Sequence, residues 1–258
     1  MGHIDCVVFD IGNVLIRWDP CNLYRRMGYA DSRTAAILAE TRLLEVNHRM
    51  LDAGAPCKAT ITDLAARFPE HAAFIRAFDA RWSEMLDGHI EASVELLEDL
   101  KRAGLPVYAL SNFNREKFEL ARTVFPFLDG FDDLIISGDV GVVKPDAEIF
   151  ELLIRRRKLD PRRVVFVDDS LANIATARQL GFVTIHFTEH RVDLRGELVR
   201  LGVGQARQLP RPTGDAESAV GGGVGVSPQH PIALSTCGSP ASAEATPAPR
   251  VPAGRSPA

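Results

Sequence analysis

The hydrophobic pattern of the chain alternates between short apolar runs and helical periodicity. One apolar run ends at Asp10, and later continuous runs predict strands at residues 105–110, 134–136, 164–167 and 183–187. Apolar residues at helical spacing predict helices between them, at residues 91–103, 115–123, 146–158 and 171–180. Apolar strands that alternate with helices predict an α/β fold with a parallel sheet covered on both faces.

Residues 20–86 interrupt this alternation. They carry no strand signal, and candidate helix starts at Asp31-Ser32 and Thr62-Asp63 precede apolar residues at helical spacing. We therefore predict a small all-helical cap over residues 18–87, inserted after the first strand. The Rossmann-like parallel-sheet core is predicted to comprise residues 1–17 and 88–210.

The last part of the chain has a different composition. Residues 211–258 are rich in Pro, Gly, Ser and Ala and hold eight of the sixteen prolines. Such a segment buries too little apolar surface to offset the entropy of ordering it. We predict a disordered tail, and the sequence indicates no role for it.

Charge and cysteine usage exclude several classes of partner. The net charge is −4, so the chain lacks the overall positive charge that would predict binding to nucleic acid or to an anionic membrane surface. No apolar run approaches the ~20 residues of a spanning helix, and the amino terminus does not resemble a secretion signal. The four cysteines form no CxxC pair and no metal-like spacing, so a reducing, cytoplasmic location is the default expectation.

Polar residues follow three of the predicted strands. They are Asp10, the pair Ser111-Asn112 and the pair Asp168-Asp169, and Lys144-Pro145 stands just before a helix. Because the carboxyl ends of parallel strands meet at one edge of a sheet, we expect these groups to lie together. Each alone is ordinarily a loop residue, and Asp10 alone could equally cap a turn. Together, the carboxylates suit Mg²⁺, and the lysine and hydroxyl suit a phosphate group.

In this order the residues resemble the motifs of the haloacid dehalogenase-like hydrolase superfamily, which consists mostly of phosphatases. The resemblance covers residues 4–187, and residues 18–87 fall where that family inserts a helical cap. Four segments match, namely Phe9-Asp10-Ile11-Gly12-Asn13-Val14, Leu110-Ser111-Asn112, residues 141–146 around Lys144-Pro145, and residues 166–174 around Asp168-Asp169. The resemblance implies a sheet with the first strand at its centre and the fourth-motif strand beside it.

The resemblance also implies a role for each matching residue. Asp10 would be the nucleophile that becomes a transient aspartyl-phosphate. Asp10 and Asp169 would bind Mg²⁺ through their side chains and Gly12 through its carbonyl, while Asp168 and Asn173 would orient this shell. Ser111 and Asn112 would bind the phosphoryl oxygens, and Lys144 would offset charge between the nucleophile and a small phosphate ester.

One position departs from the family pattern. Phosphatases of this kind carry a second Asp two positions after the nucleophile, which acts as general acid and base, but here that position is Gly12. General acid-base help contributes about 10²–10⁴ in rate. A subgroup with a Gly-Asn first motif, similar to bacterial sugar-phosphate phosphatases, shares this feature, so a sugar phosphate is the suggested substrate.

Two other functions stay open on the sequence alone. A 2-haloacid dehalogenase would use the same aspartate without a metal, and the pair Asp168-Asp169 favours a phosphatase over that chemistry. A catalytically idle member would bind phosphate compounds or a protein partner, and Gly12 keeps this alternative open. The sequence predicts neither the oligomeric state nor the cap residues that select the substrate.

Several further features have ordinary structural interpretations. Arg42, His48, Arg49 and Lys58 could reach a leaving group from the cap, although such residues are usually solvated. The basic run at residues 155–158 complements the dipole at a helix carboxyl end rather than binding nucleic acid. Phe74, Phe78 and Trp82 lie at helical spacing, which favours the interior of the cap over a binding stripe.

Overall fold

The computed structural model describes residues 3–203. The predicted tail at 211–258, and residues 204–210 of the predicted core, lie outside the described residues. Within the described part, no helix is long and apolar enough to cross a membrane.

The centre of the molecule is a parallel five-stranded sheet. Its strands are β1 (Cys6–Phe9), β4 (Val107–Ser111), β5 (Asp133–Ile136), β6 (Val164–Asp168) and β7 (Val183–His186), in the spatial order β5-β4-β1-β6-β7. Strand β1 pairs with β4 and β6, so that Val7 lies between Val107 and Val165. The α/β prediction, including the position of the first strand between the second- and fourth-motif strands, is confirmed.

Helices cover both faces of this sheet. They are α6 (Glu91–Arg102), α7 (Arg115–Val124), α8 (Ser137–Val140), α9 (Ala147–Arg157), α10 (Leu171–Gln179) and α11 (Leu194–Arg200). Alternate residues of β1 face opposite sides: Val7 and Phe9 belong to one buried cluster, and Cys6 and Val8 to another. This is why the strands are apolar throughout rather than alternating with polar residues.

Helical segments fill the chain between β1 and α6. They are α1 (Pro20–Arg26), α2 (Asp31–Thr41), α3 (Leu43–Val46), a π-helical turn (Asn47–Leu51), α4 (Cys57–Arg67), α5 (Ala72–Ala80) and two 3₁₀ turns (Pro69–His71 and Trp82–Met85). A stacked pair of rings, Tyr24 and Phe74, packs inside them with centroids 3.5 Å apart. The treatment of this insertion as a separate domain stays a prediction.

Two short strands that the sequence pattern does not predict flank these helices. Strand β2 (Ile16–Trp18) and strand β3 (Leu86–His89) pair antiparallel, and β3 starts at Leu86 inside the stretch that we predicted to be all-helical. The ribbon is three to four residues long and includes Asp87 and Gly88, so it carries no recognisable alternation. It brings the two ends of the insertion together beside the sheet.

Candidate active site

Asp10 lies directly after the central strand and is held by several donors. Its backbone N–H donates to the Val167 carbonyl on β6 at 2.9 Å. Its Oδ1 accepts from the Ile11 N–H at 2.7 Å and from the Ser111 hydroxyl at 2.8 Å. With 8% of the residue exposed, the carboxylate has a fixed orientation at the edge where β1 and β4 end.

Lys144 reaches this edge from the loop before α9. Its Nζ lies 3.0 Å from Asp10 Oδ1 and donates to Asp168 Oδ2 at 2.7 Å, and the residue is 1% exposed. Burial by itself would lower the pKa of Lys144, but the charges of Asp10 and Asp168 outweigh it, so the pKa is raised. The ammonium therefore stays charged between the two carboxylates.

Asp168 is completely buried at the end of β6 and anchors the arrangement. The Asn173 amide donates to both of its oxygens, at 3.0 and 3.1 Å, and the Ser170 N–H donates to Oδ1 at 2.8 Å. Burial pushes the pKa of Asp168 upward, whereas Lys144 favours the carboxylate. Asp168 thus fixes Lys144, and Asn173 fixes Asp168.

Asp10, Asp168 and Asp169 form a group that could hold a cation. One carboxylate oxygen from each lies within 4.8 Å of the others. Burial raises the pKa of Asp169 to about 6, with a further contribution from the charge of Asp10. Lys144 pairs with Asp10 and Asp168, so the three carboxylates of this group outnumber the ammonium beside them. The donor set and this charge fit a hard divalent cation such as Mg²⁺.

Gly12 and Asn13 form the turn that follows Asp10. Asn13 adopts a left-handed conformation with φ 53°, and its Oδ1 accepts from the Trp18 N–H at 3.0 Å. A methyl group added at Gly12 would meet no atom within 4 Å. Lack of space therefore does not explain why this position carries no acidic side chain.

Asn112 supports Lys144 through its side-chain amide. Its Oδ1 accepts from the Lys144 N–H at 2.7 Å, and its Nδ2 donates to the Lys144 carbonyl at 2.9 Å. The same Nδ2 lies 3.4 Å from His48 Nδ1. The structure thus gives the Asn112 side chain a positioning contact that the motif comparison does not predict.

Removal of the Lys144 charge is expected to destabilise the fold. In Lys144→Met, Asp10 and Asp168 would lose their shared buried counter-charge, and breaking a buried pair costs about 3–5 kcal/mol. Urea unfolding should show this loss, while Lys58→Met, at an exposed position on α4, should leave the free energy of unfolding near that of the wild type. Equal stability of the two variants would contradict the buried ion-pair arrangement.

A cavity opens from Asp10 and Gly12 toward the helical insertion. Eight apolar residues from both parts of the chain line it: Ile16, Trp18, Leu51, Cys57, Phe78, Trp82, Leu86 and Phe113. The polar lining includes the amides of Asn47, Asn112 and Asn114. Lys117 on α7 and Asp79 on α5 form an ion pair in its wall, with Nζ 2.5 Å from Oδ1. Phe78 and Trp82 are buried, as the helical spacing predicts, yet they also line this cavity.

Three polar residues near the site belong to no motif recognised in the sequence: Asp52, Asn114 and Ser137. Asp52 follows the π-helical turn and lines the cavity with Asp10. Its backbone carbonyl accepts from the Ser137 hydroxyl at 2.5 Å, and the neighbouring Leu51 carbonyl accepts from the Asn114 amide at 2.9 Å. These contacts join positions 63 to 85 residues apart in the chain, so no local pattern could reveal them.

The other basic residues singled out in the sequence lie away from the cavity. Arg42, Arg49 and Lys58 are exposed, and Arg42 pairs with Glu45. In the basic run at 155–158, Arg156 pairs with Asp133 at 2.9 Å and Arg157 lies over the Tyr108 ring. These contacts favour the structural interpretation of that run.

Known proteins similar to this chain include phosphatases and a haloacid dehalogenase. The chain is 28% identical over 188 residues to a sesquiterpene phosphatase from Aspergillus oryzae, covering 70% of this chain and 89% of the relative. It is 35% identical over 103 residues to a D-ribitol-5-phosphate phosphatase from Bacteroides thetaiotaomicron (38% and 50%). It is 31% identical over 137 residues to an (S)-2-haloacid dehalogenase from Pseudomonas sp. strain YL (53% and 51%). The chain spans about half the length of the last two.

A solved structure shares the fold. The HAD family enzyme bt-2542 from Bacteroides thetaiotaomicron superposes with a TM-score of 0.62 at 22% identity, covering 76% of this chain and 99% of that one. The same enzyme in complex with magnesium and inorganic phosphate gives a TM-score of 0.59 over 74% of this chain and 98% of that one, also at 22% identity.

The family model for haloacid dehalogenase-like hydrolases matches residues 4–181, which include Asp10, Ser111, Lys144 and the pair Asp168-Asp169. With this match over more than half of its length, the chain belongs to the haloacid dehalogenase-like hydrolase family.

Proposed function

We propose that this enzyme is a Mg²⁺-dependent phosphatase that hydrolyses small phosphate monoesters through an aspartyl-phosphate on Asp10. The observation that carries the proposal is the position of the Asp10 carboxylate beside Lys144, at 3.0 Å, and within one acidic group with Asp169. A carboxylate nucleophile can attack a dianionic phosphate only where fixed positive charge offsets the repulsion. This edge of the sheet supplies one ammonium and a fitting cation site.

Each of the chain's own groups has a task in this scheme. Asp10 attacks phosphorus, and the Ser111 hydroxyl and Lys144 ammonium bind the phosphoryl oxygens as charge builds on them. Asn112 and Asp168 position Lys144 through the contacts given above. Asp10, Asp169 and the Gly12 carbonyl would hold Mg²⁺, which when bound polarises the phosphoryl group and neutralises its charge. Asn173 keeps Asp168 oriented.

The leaving group is expected to be an apolar alcohol rather than a sugar. Seven aromatic and aliphatic side chains line the cavity beside Asp10. Much of its polar lining already has protein partners: the Asn47, Asn112 and Asn114 amides donate to other residues, and Asp79 pairs with Lys117. A sugar would leave many hydroxyls facing apolar surface, which is unfavourable. The sesquiterpene phosphatase, similar over 89% of its own length, supports the same substrate class.

A comparison of two phosphate esters tests this substrate class. We expect kcat/KM for farnesyl phosphate to exceed that for D-ribitol 5-phosphate by at least about tenfold. Burial of only two methylene groups of the farnesyl chain contributes about 1.6 kcal/mol, which is enough for this ratio. Release of inorganic phosphate from each ester gives the ratio. A preference for the sugar phosphate would contradict the assignment and restore the class suggested by the Gly-Asn motif.

A dehalogenase is the alternative with a relative in its favour, since an (S)-2-haloacid dehalogenase is 31% identical over 137 residues. A halide-displacing enzyme needs no cation, so the acidic group of Asp10, Asp168 and Asp169 would have no purpose there. Metal-independent halide release from 2-haloacids would contradict the phosphatase proposal. Binding of phosphate esters with no turnover across a broad panel would instead favour a catalytically idle protein.

A further inference from the structure

The proposed reaction lacks the family's usual general acid, because the position two residues after Asp10 is Gly12. Expulsion of an alkoxide from phosphorus is slow unless its oxygen receives a proton, and the water that later attacks must lose one. Gly12 has no side chain to supply either step. Another group that lines the cavity must therefore exchange a proton with the leaving oxygen.

Asp52 meets the positional requirement. It lines the same cavity as Asp10 and Gly12, although it comes from the helical insertion. It directly follows the π-helical turn Asn47–Leu51, and the Asn47 amide donates to its Oδ2 at 3.1 Å. Single π-helical turns interrupt regular helices often at functional sites.

The segment that carries Asp52 is fixed against the sheet domain at several points. Ser137 binds the Asp52 carbonyl, and Asn114 binds the carbonyl of Leu51. Two residues later, Gly54 has φ +94° and approaches Gly138 so closely that a Cβ at Gly54 would lie 2.8 Å from the Gly138 oxygen. The backbone around Asp52 is therefore docked next to the residues that follow β4 and β5.

Asp52 is also in the right protonation state to donate. Burial raises its pKa to about 8, and the negative charge of Asp10 adds to the shift. The other ionisable groups in the cavity wall are Cys57 and the paired Asp79 and Lys117. At neutral pH, Asp52 carries the proton that a leaving alkoxide needs.

We propose that Asp52 is the general acid and base of this enzyme, in place of the side chain absent at Gly12; this inference rests on the proposed phosphatase function. In the first step the Asp10 oxygen bonds to phosphorus, the bond from phosphorus to the ester oxygen breaks, and the Asp52 proton passes to that oxygen to give the alcohol. In the second step water attacks phosphorus and gives a proton to the Asp52 carboxylate. The bond from phosphorus to Asp10 breaks, and inorganic phosphate leaves.

The test compares two leaving groups in Asp52→Asn. Farnesyl phosphate needs a proton on its alkoxide, whereas p-nitrophenyl phosphate releases a stabilised anion. We expect the first-turnover rate with farnesyl phosphate to fall by about 10²–10⁴, while p-nitrophenyl phosphate gives a near-normal burst of nitrophenolate followed by slow turnover. Asp63→Asn, an exposed position on α4, is the matched control and should leave both rates unchanged.

A pH profile gives a second readout. Because Asp52 must be protonated, kcat/KM for farnesyl phosphate in the wild type should fall as the pH rises through about 8, and this limb should be absent in Asp52→Asn. Equal losses with both esters, or no loss with either, would overturn the assignment to Asp52. If His48→Gln removed the alkaline limb of the pH profile and Asp52→Asn retained it, the general acid would be His48 and not Asp52. No phosphate release by the wild type from either ester would instead overturn the phosphatase function itself.

Discussion

Replacement of Asp10 by Asn is expected to abolish turnover of phosphate esters. An amide oxygen is a poor nucleophile, and loss of a nucleophile that acts as part of a unit costs several orders of magnitude, at least about 10⁴ in kcat. The contacts of Asp10 with Ser111 and Lys144 can largely persist in the variant because the amide retains one oxygen. The measurement is release of inorganic phosphate from farnesyl phosphate under saturating Mg²⁺.

Two controls separate chemistry from folding in this experiment. Asp63→Asn makes the same chemical change on the exposed surface of α4 and should turn over like the wild type. Urea unfolding of Asp10→Asn should show a cooperative transition, which demonstrates that the sheet is intact. Turnover by Asp10→Asn comparable to that of the wild type would exclude Asp10 as the nucleophile.

Removal of divalent cations is expected to have the second large effect. Without a cation, the carboxylates of Asp10, Asp168 and Asp169 outnumber the Lys144 ammonium and repel the phosphate dianion. Charge stabilisation by a bound metal is worth several kcal/mol, so chelation should reduce turnover by at least about 10²-fold, and added Mg²⁺ should restore it.

Direct binding of Mg²⁺ distinguishes a cation site from an indirect effect of chelation. Calorimetric titration of the wild type should show binding, and Asp169→Asn should weaken it because one of the carboxylates is lost. The matched control is again Asp63→Asn. Unchanged affinity in Asp169→Asn, or full activity in chelator, would contradict the placement of the cation among these carboxylates.

Much of the sheet could be predicted because its strands are buried on both faces. Val164 to Val167 and the run ending at Asp10 are continuous apolar stretches that close on carboxylates, and parallel pairing puts those ends together. Asp10, Ser111, Lys144 and Asp168 consequently meet as the sequence predicts. Lys144 could be expected at the site from its order in the motifs, and its burial between two carboxylates is a structural finding.

What could not be predicted depends on contacts between distant parts of the chain. The strands Ile16–Trp18 and Leu86–His89 are too short for a periodic signal and become strands by pairing with each other. Asp52 has the sequence neighbourhood of an ordinary loop residue. Its place in the cavity follows from the π-helical turn before it and from Ser137, 85 residues away.

The general acid that is missing at Gly12 could be replaced by Asp52, whose contacts hold it in the same cavity. The position has open space around it, and a carboxyl group from the helical insertion lines the same cavity. If Asp52 supplies the proton, the helical insertion takes part in catalysis and also lines the leaving-group cavity. Substrate selection and proton transfer would then depend on the same segment.

The most direct test of the phosphatase account measures two products from one enzyme preparation. Wild-type protein is incubated with farnesyl phosphate and, in parallel, with 2-chloropropionate, each with Mg²⁺ and with chelator. We expect inorganic phosphate only when Mg²⁺ is present and no chloride under either condition. Chloride release that is independent of metal, without phosphate release, would show that the enzyme is a dehalogenase and not a phosphatase.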